Sequence, residues 1–327
     1  MGNSVHYMTG SNFKYNSNMP NILVVGSLNT DLVVKTPRFP QPGETISGED
    51  LQVIPGGKGA NQAVAAARLG ANVSMLGRVG NDNFGDYLLQ NLKSNHVDTQ
   101  LVQRDEASTG TATIIVDANG QNSIVLSAGA NGKVSLLDVE HASFADFNLL
   151  LLQLEIPIPI VLRAVQRAHE NGLRVILNPA PAQPLPDELI ALADFLIPNE
   201  TELSLLTGME VKDIPSAEQA ARVLLGRGVK HVIVTLGSKG ALIVEGKQVN
   251  TYASTHIDTF KADVVDTTAA GDAFIGGFAN ALLENKSLQE AVRYGCACGA
   301  LATTKFGAQP SLPTKEEVGA ILAVAQD

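Results

Sequence analysis

The sequence predicts an α/β fold: a doubly wound, mostly parallel sheet flanked by helices, with a small antiparallel sheet set beside it. Three observations predict it. Short apolar runs such as NILVVGSL at 21–28 and LLLLQL at 149–154 have the composition of strands buried on both faces. These runs alternate with stretches of helical period, as parallel strands joined by crossover helices require. Two segments, 32–53 and 110–126, break the alternation.

Taken in order, the first strand is 21–28, and the Gly56-Gly57 turn leads into a helix over 58–69. A strand over 73–76 and a helix over 82–94 follow. Strand 149–154 precedes a helix over 157–171 with proline in its first turn. Further strands are expected at 175–177, 195–197 and 232–235, and helices at 200–207, 217–227, 270–284, 288–303 and 315–325. In the interrupting segments Val33-Val34, 111–116 and 123–126 read as strands. Turn clusters at Pro40-Gln41-Pro42-Gly43 and Asp117-Ala118-Asn119-Gly120 punctuate them. They form either a small antiparallel sheet projecting from the main domain or edge strands of the main sheet. No internal repeat and no linker divides the chain. Residues 1–20 are rich in Asn, Ser and Tyr, lack the apolar core of a signal peptide, and read as a disordered leader before a domain over 21–327. Gly2 does not open a myristoylation motif, because position 6 is His, and Met19 is an alternative start.

A chain of 327 residues, 45% hydrophobic and 17% charged, can bury a large core. A net charge of −10 and the absence of Trp argue against a nucleic-acid surface or an anionic membrane as partner. No apolar run approaches the length of a membrane span. Cys296 and Cys298 are too close along a helix for an ordinary disulfide and have no neighbours to complete a zinc site. They read as buried thiols of a reducing cytoplasm.

The chemistry concentrates at turns. Asp266-Thr267-Thr268-Ala269-Ala270-Gly271-Asp272 runs into an apolar, glycine-punctuated helix. Small residues there let a ligand approach the backbone, and the unpaired N–H groups of a first helical turn favour an anion. A carboxylate in the same turn can take the proton of a hydroxyl that attacks that anion. Gly56-Gly57-Lys58-Gly59-Ala60-Asn61 lacks the spacing of a P-loop but suits backbone contact with a polar ligand. Asn29-Thr30-Asp31 follows the first strand, where open parallel sheets bind ligands, and its carboxylate can accept two hydroxyls of a diol. Asn199 and Glu202 form a capping pair that can also face a hydrated Mg²⁺. Thr235-Leu236-Gly237-Ser238-Lys239-Gly240 suits a nucleotide phosphate or ribose, or a turn between strands.

These runs, in their order, resemble the ribokinase (PfkB-type) carbohydrate kinase family. PGGKGANQAVAAARLGANV and DTTAAGDAFIGGFANAL carry the resemblance, with GRVGNDNFGD, LLLQLEIP, LNPAPA, IPNETE, TLGSKG and KFGAQPSLP in family order, over about 22–325. The resemblance implies a ribokinase-like fold whose lid is made by about 32–56 and 109–127, often shared across a homodimer. It implies ATP-dependent phosphorylation of a sugar, D-ribose at its 5-hydroxyl first, with Asp272 as base. Ala269, Ala270 and Gly271 would form the anion hole. Asn29, Asp31, Gly57, Lys58, Asn61, Glu155 and Asp272 would hold the sugar. Asn199, Thr235, Leu236, Gly237, Ser238, Lys239, Gly240, Gly271, Asp272 and Cys296 would line the ATP site, with Glu202 serving Mg²⁺ indirectly. Asp266, Thr268, Ala302, Lys305, Gly307 and Ser311 match a site for K⁺, where Ala302, Lys305 and Gly307 would offer carbonyls. Ala273 follows the base where the family often has Thr, a change expected to matter little. Deoxyribose, fructose or a nucleoside are the alternative acceptors within the family. A non-catalytic sugar-binding regulator is the alternative of a different class, opposed by the presence of Asp272, Asn199 and Glu202. A nicotinamide-dependent dehydrogenase is opposed by the lack of a Gly-x-Gly-x-x-Gly after any strand.

Overall fold

The computed structural model describes residues 21–248 and 251–324. The leader 1–20, with Met19, and the end of the last expected helix at Ala325 lie outside the described residues. The chain opens with β1 (Asn21–Val25), β2 (Asn29–Lys35), β3 (Gln52–Gly56), α1 (Lys58–Arg68), β4 (Asn72–Gly80) and α2 (Asn83–Ser94). Two short strands, β5 (Val97–Asp98) and β6 (Val102–Asp105), lead to β7 (Gly110–Val116), β8 (Asn122–Ser127) and α3 (Leu136–His141). Then come β9 (Leu149–Leu152), α4 (Ile158–Glu170), β10 (Arg174–Leu177), α5 (Asp187–Ala191), β11 (Phe195–Leu196), α6 (Glu200–Thr207) and α7 (Ile214–Gly226). The last part holds β12 (His231–Thr235), β13 (Ala241–Gln248), β14 (Thr251–Ile257), α8 (Ala270–Leu283), α9 (Leu288–Ala302), α10 (Ala308–Ser311) and α11 (Lys315–Val324).

The main sheet runs β14-β13-β12-β11-β10-β9-β1-β4-β5, with β6 also paired to β4. From β12 to β5 every pair is parallel. β13 and β14 form an antiparallel edge that the sequence reading did not resolve. Alternation along each strand divides the core in two. Ile22, Val24, Leu149 and Leu151 face the layer containing α1, α8 and α9. Leu23, Val25, Leu150 and Leu152 face the layer containing α4 and α7. Each such side chain, fully buried, contributes about 1.5–3 kcal/mol.

The interrupting segments form a separate four-stranded sheet, ordered β3-β2-β7-β8, and not edge strands of the main sheet. Its outer pairs are antiparallel as expected, but its central pair, β2 with β7, is parallel. The two halves come from distant parts of the chain and run the same way out of the main domain. No tight turn links them, so nothing forces an antiparallel join.

Three helices share one close junction. α8 crosses α1 and α9 at glycines. A Cβ on Gly276 would lie 2.5 Å from the Ala65 Cβ and 2.9 Å from the Ala66 nitrogen, and one on Gly277 would lie 2.5 Å from the Cys298 sulfur. The chemistry-bearing first turn of α8 is thereby held against α1. Gly276→Ala is expected to lower stability by about 1–3 kcal/mol, because backbone and a β-carbon cannot yield as a flexible side chain can. Urea unfolding of the variant checks this; an unchanged midpoint and slope would contradict so close a crossing.

Candidate active site

Three connected spaces open at the carboxyl ends of the parallel strands, where open α/β sheets bind ligands. A chamber of about 200 Å³ is lined by Lys58, Asn178, Asn199, Glu202, Thr235, Ala269, Gly271 and Asp272, among others. A cleft of about 1080 Å³ leads outward past Thr235, Gly237, Ser238, Gly240, Phe274 and Cys296. A second cleft, about 1030 Å³, lies beneath the four-stranded sheet, with Asp31 at its inner end and Lys35, Glu49 and Phe306 further out. Thr267 lines all three. The chamber thus borders both larger clefts at Thr267.

Asp272 stands in the first turn of α8, buried at the junction. Its Oδ2 accepts from Asn61 Nδ2 at 2.9 Å and its Oδ1 from Gln62 Nε2 at 3.0 Å. The N–H groups of Gly271 and Asp272 precede the first full turn, so no helical carbonyl serves them. Ala269, the N-cap, has φ 59°, a left-handed conformation that steers the chain from the Asp266 loop into the helix. Acid and exposed N–H groups thus share one turn, as the sequence predicts.

On the other side, Glu155 Oε2 accepts from Ser27 Oγ at 2.5 Å, Asn29 Nδ2 at 3.2 Å and the Lys58 N–H at 3.2 Å. Asn29 is held in turn by Asn131, whose Nδ2 donates to Asn29 Oδ1 at 2.7 Å. Gly57 carries φ 87°, and a Cβ there would lie 2.6 Å from the Asn29 nitrogen. The GGKG turn is therefore glycine-rich because it passes directly over the β1–β2 connection. Asn199 and Glu202 form a complete capping box, Glu202 accepting from the Asn199 N–H at 2.9 Å while Asn199 Oδ1 accepts from the Glu202 N–H at 2.8 Å. Both still line the chamber.

Of the expected nucleotide-cleft residues, Leu236 has its side chain in the core, while its N–H donates to the Gly240 carbonyl. Lys239 does not line the cleft itself, but its ammonium lies 3.6 Å from Glu200, which does. In the tail, Asp266 Oδ1 accepts from the Thr268 N–H and hydroxyl at 2.9 and 2.7 Å, and Oδ2 from the Gly307 N–H at 2.9 Å. The Lys305 N–H donates to the Ala302 carbonyl at 3.4 Å and Ser311 Oγ to the Ala308 carbonyl at 2.8 Å. Sequence reasoning missed Gln62, Gln153, Asn178, Asn131 and Ser27. For Gln62 the signal was its place beside Asn61; the others are single polar residues with no local pattern.

Comparison with known proteins gives the family. Residues 19–315 match the family described as pfkB family carbohydrate kinase. This chain belongs to the pfkB family of carbohydrate kinases. The ribokinase of Haemophilus influenzae is 46% identical over 300 residues, covering 90% of this chain and 96% of its own. A deoxyribokinase of Salmonella typhi is 39% identical over 307 residues, covering 93% and 99%. The solved structure of Arabidopsis thaliana ribokinase complexed with ribose and ATP is 37% identical, with a TM-score of 0.85 over 93% of this chain and 98% of that one. Among the described residues, no helix is long and apolar enough to cross a membrane.

The site is strongly acidic. Burial, followed by the charges of Glu155 and Asp272, pushes the Asp31 carboxyl up to about 7, against the pull of Lys58. Burial raises Glu202 as well. Burial works to lower Lys58, but Asp272, Glu155, Glu202 and Asp31 together raise it. Asp31 titrates higher folded than its ordinary 3.8, so between those values the folded protein holds a proton the unfolded chain has released. Its contribution to stability is full below about pH 4 and is lost as pH rises toward about 7. Asp31→Asn should therefore raise the melting temperature of the unliganded protein at pH 8 and reduce its pH dependence between 5 and 8. The same variant should bind sugar at least about 10-fold more weakly, the loss of a charged acceptor. Thermal melts with and without sugar test both; a variant less stable at pH 8 than the parent would refute the charge argument.

Proposed function

We propose that this chain transfers the γ-phosphoryl group of ATP to the 5-hydroxyl of D-ribose, giving ribose 5-phosphate and ADP. The observation that carries the reading is Asp272: a buried carboxylate in the first turn of α8, fixed by two amides, at the junction of two clefts. Sugar enters beneath the four-stranded sheet, which acts as a lid, and meets Asp31, Asn29, Glu155, Lys58 and Asn61. ATP occupies the opposite cleft, its phosphates reaching the chamber past Asn199, Thr235 and Gly271. Asp272 takes the proton of the attacking hydroxyl as its oxygen bonds to phosphorus and ADP departs. The N–H groups of Gly271 and Asp272 and the Lys58 ammonium stabilise charge on the phosphoryl oxygens, the main requirement of such transfer.

Mg²⁺ fits the chamber as a companion of the ATP phosphates. Glu202 spends its oxygens on Asn199, so it would reach the ion through water. Asp266 offers a single carboxylate beside the Thr268 hydroxyl; with the carbonyls of Ala302, Lys305 and Gly307 that the family resemblance implies, such a set would suit K⁺ better than a divalent ion. The exposed strand β8 carries Ile124, Val125 and Leu126 at 50, 67 and 49% exposure, which supports a homodimer joined through the lid. Two buried free thiols and soluble substrates support the cytoplasm as its place.

Deoxyribose is the second reading, favoured by the 39% identical deoxyribokinase. A coupled ADP-release assay with ribose, deoxyribose, fructose and adenosine separates the two: ribose should give the highest kcat/KM, and preference for another acceptor would displace the reading. Asp272→Asn should lose about two to four orders of magnitude in turnover while sugar affinity changes far less. At fixed ionic strength K⁺ should raise activity, Na⁺ should substitute poorly, and Asp266→Ala should abolish the response. Equal rates in K⁺ and a bulky organic cation would remove the cation from the scheme.

A further inference from the structure

Behind Asp272 lies a buried chain of side-chain amides that touches neither cleft. Gln62, on α1, is fully buried and lines none of the three spaces. Its Nε2 donates to Asp272 Oδ1 at 3.0 Å and to Asn178 Oδ1 at 3.2 Å. Its Oε1 accepts from Gln153 Nε2 at 2.6 Å. Gln153, just past β9, is also fully buried.

The polarity of this chain is fixed by backbone at its far end. Asn178 Nδ2 donates to the Ile197 carbonyl at 3.0 Å, so Asn178 presents its oxygen to Gln62. Gln62 must then turn its nitrogen toward two acceptors, Asn178 and Asp272, and its oxygen toward Gln153. A reversed Gln62 amide would set oxygen against the Asp272 carboxylate and nitrogen against the Gln153 nitrogen. Asn61 differs: its Nδ2 serves Asp272, but its Oδ1 is buried without a partner, so it does not extend the chain.

We propose that Gln62 is a positioning residue for the base, holding the Asp272 carboxylate in its attack geometry, with Gln153 fixing Gln62. The inference rests on the reading of Asp272 as base. A carboxylate on a short side chain can rotate about its last bond; with a donor on each oxygen it cannot do so without breaking one. Because Gln62 lines no cleft and meets the site through Asp272, with a longer bond to the chamber-lining Asn178, its loss should slow the chemical step more than it weakens binding.

The test is a double-mutant cycle on the full chain, with ribose and ATP as substrates. Gln62→Met keeps length and volume and removes both donors. It should lower kcat about 10- to 100-fold, the scale of a misplaced reacting group, with both KM values within about 3-fold. In the Asp272→Asn background the same substitution should change the residual rate by less than about 2-fold. Gln153→Met, which leaves the bond to Asp272 in place, should cost kcat about 3- to 10-fold and keeps the proposal testable if Gln62→Met does not fold. An equal loss from Gln62→Met in both backgrounds, a rise in KM at constant kcat, or wild-type kcat in either glutamine variant would overturn the proposal. Near-wild-type turnover of Asp272→Asn alone would instead overturn the base assignment beneath it.

Discussion

The contact between α1 and α8 governs the site. Each helix carries part of the chemistry: Lys58, Asn61 and Gln62 on α1, and Gly271 and Asp272 on α8. The amides of Asn61 and Gln62 are short arms, and they reach Asp272 at 2.9 and 3.0 Å only because the helix axes lie close. Alanines on α1 and glycines on α8 permit that approach, and Gly295 on α9 extends it, since a Cβ there would lie 2.9 Å from the Phe274 carbonyl. Larger residues at these crossings would bury more apolar surface but would part the helices. The small side chains trade hydrophobic area for geometry.

That geometry gathers charge that the folded protein would otherwise disperse. Asp31, Glu155, Glu202 and Asp272 all act on Lys58, the lysine of the chamber. Like charges in a poorly solvated space repel, and the upward shifts of Asp31 and Glu202 record that repulsion together with burial. A sugar's hydroxyls supply donors to these acceptors, and phosphate brings anionic charge beside Lys58 and the helix terminus.

What could be read from sequence was what lies in contiguous runs. The GGKGAN turn, the Asp266–Asp272 loop and the Asn199–Glu202 cap each gather their polar residues within a few positions, so spacing exposes them. The parallel strands were legible because burial on both faces leaves an unbroken apolar run. The β13–β14 edge was not, since its second strand is half exposed and carries mixed residues. The parallel β2–β7 pair joins residues such as Asn29 and Gly110, and no local pattern announces a partner so distant. Gln62, Gln153 and Asn178 were hidden for the same reason: their roles exist only after three elements have met.

The tail loop and the base belong to one frame, and Ala269 shows why. A residue with a β-carbon held at φ 59° stores roughly 1–3 kcal/mol, and it persists only where its neighbours over-determine it. Those neighbours are specific. Asp266 is tied to Thr268 and Gly307, and the N–H groups of Val265 and Asp266 both donate to the Thr303 carbonyl, at 2.8 and 3.1 Å. The loop is thereby fastened to the end of α9 and to the tail, while the Ala269 carbonyl already accepts from Ala273 at 2.8 Å within α8. Slackening the tail would let Ala269 relax toward an ordinary conformation, and the first-turn N–H groups would move with it. The Asp266 loop and the first turn of α8 are therefore coupled through the strain at Ala269, and a change in the tail loop moves the Gly271 and Asp272 N–H groups.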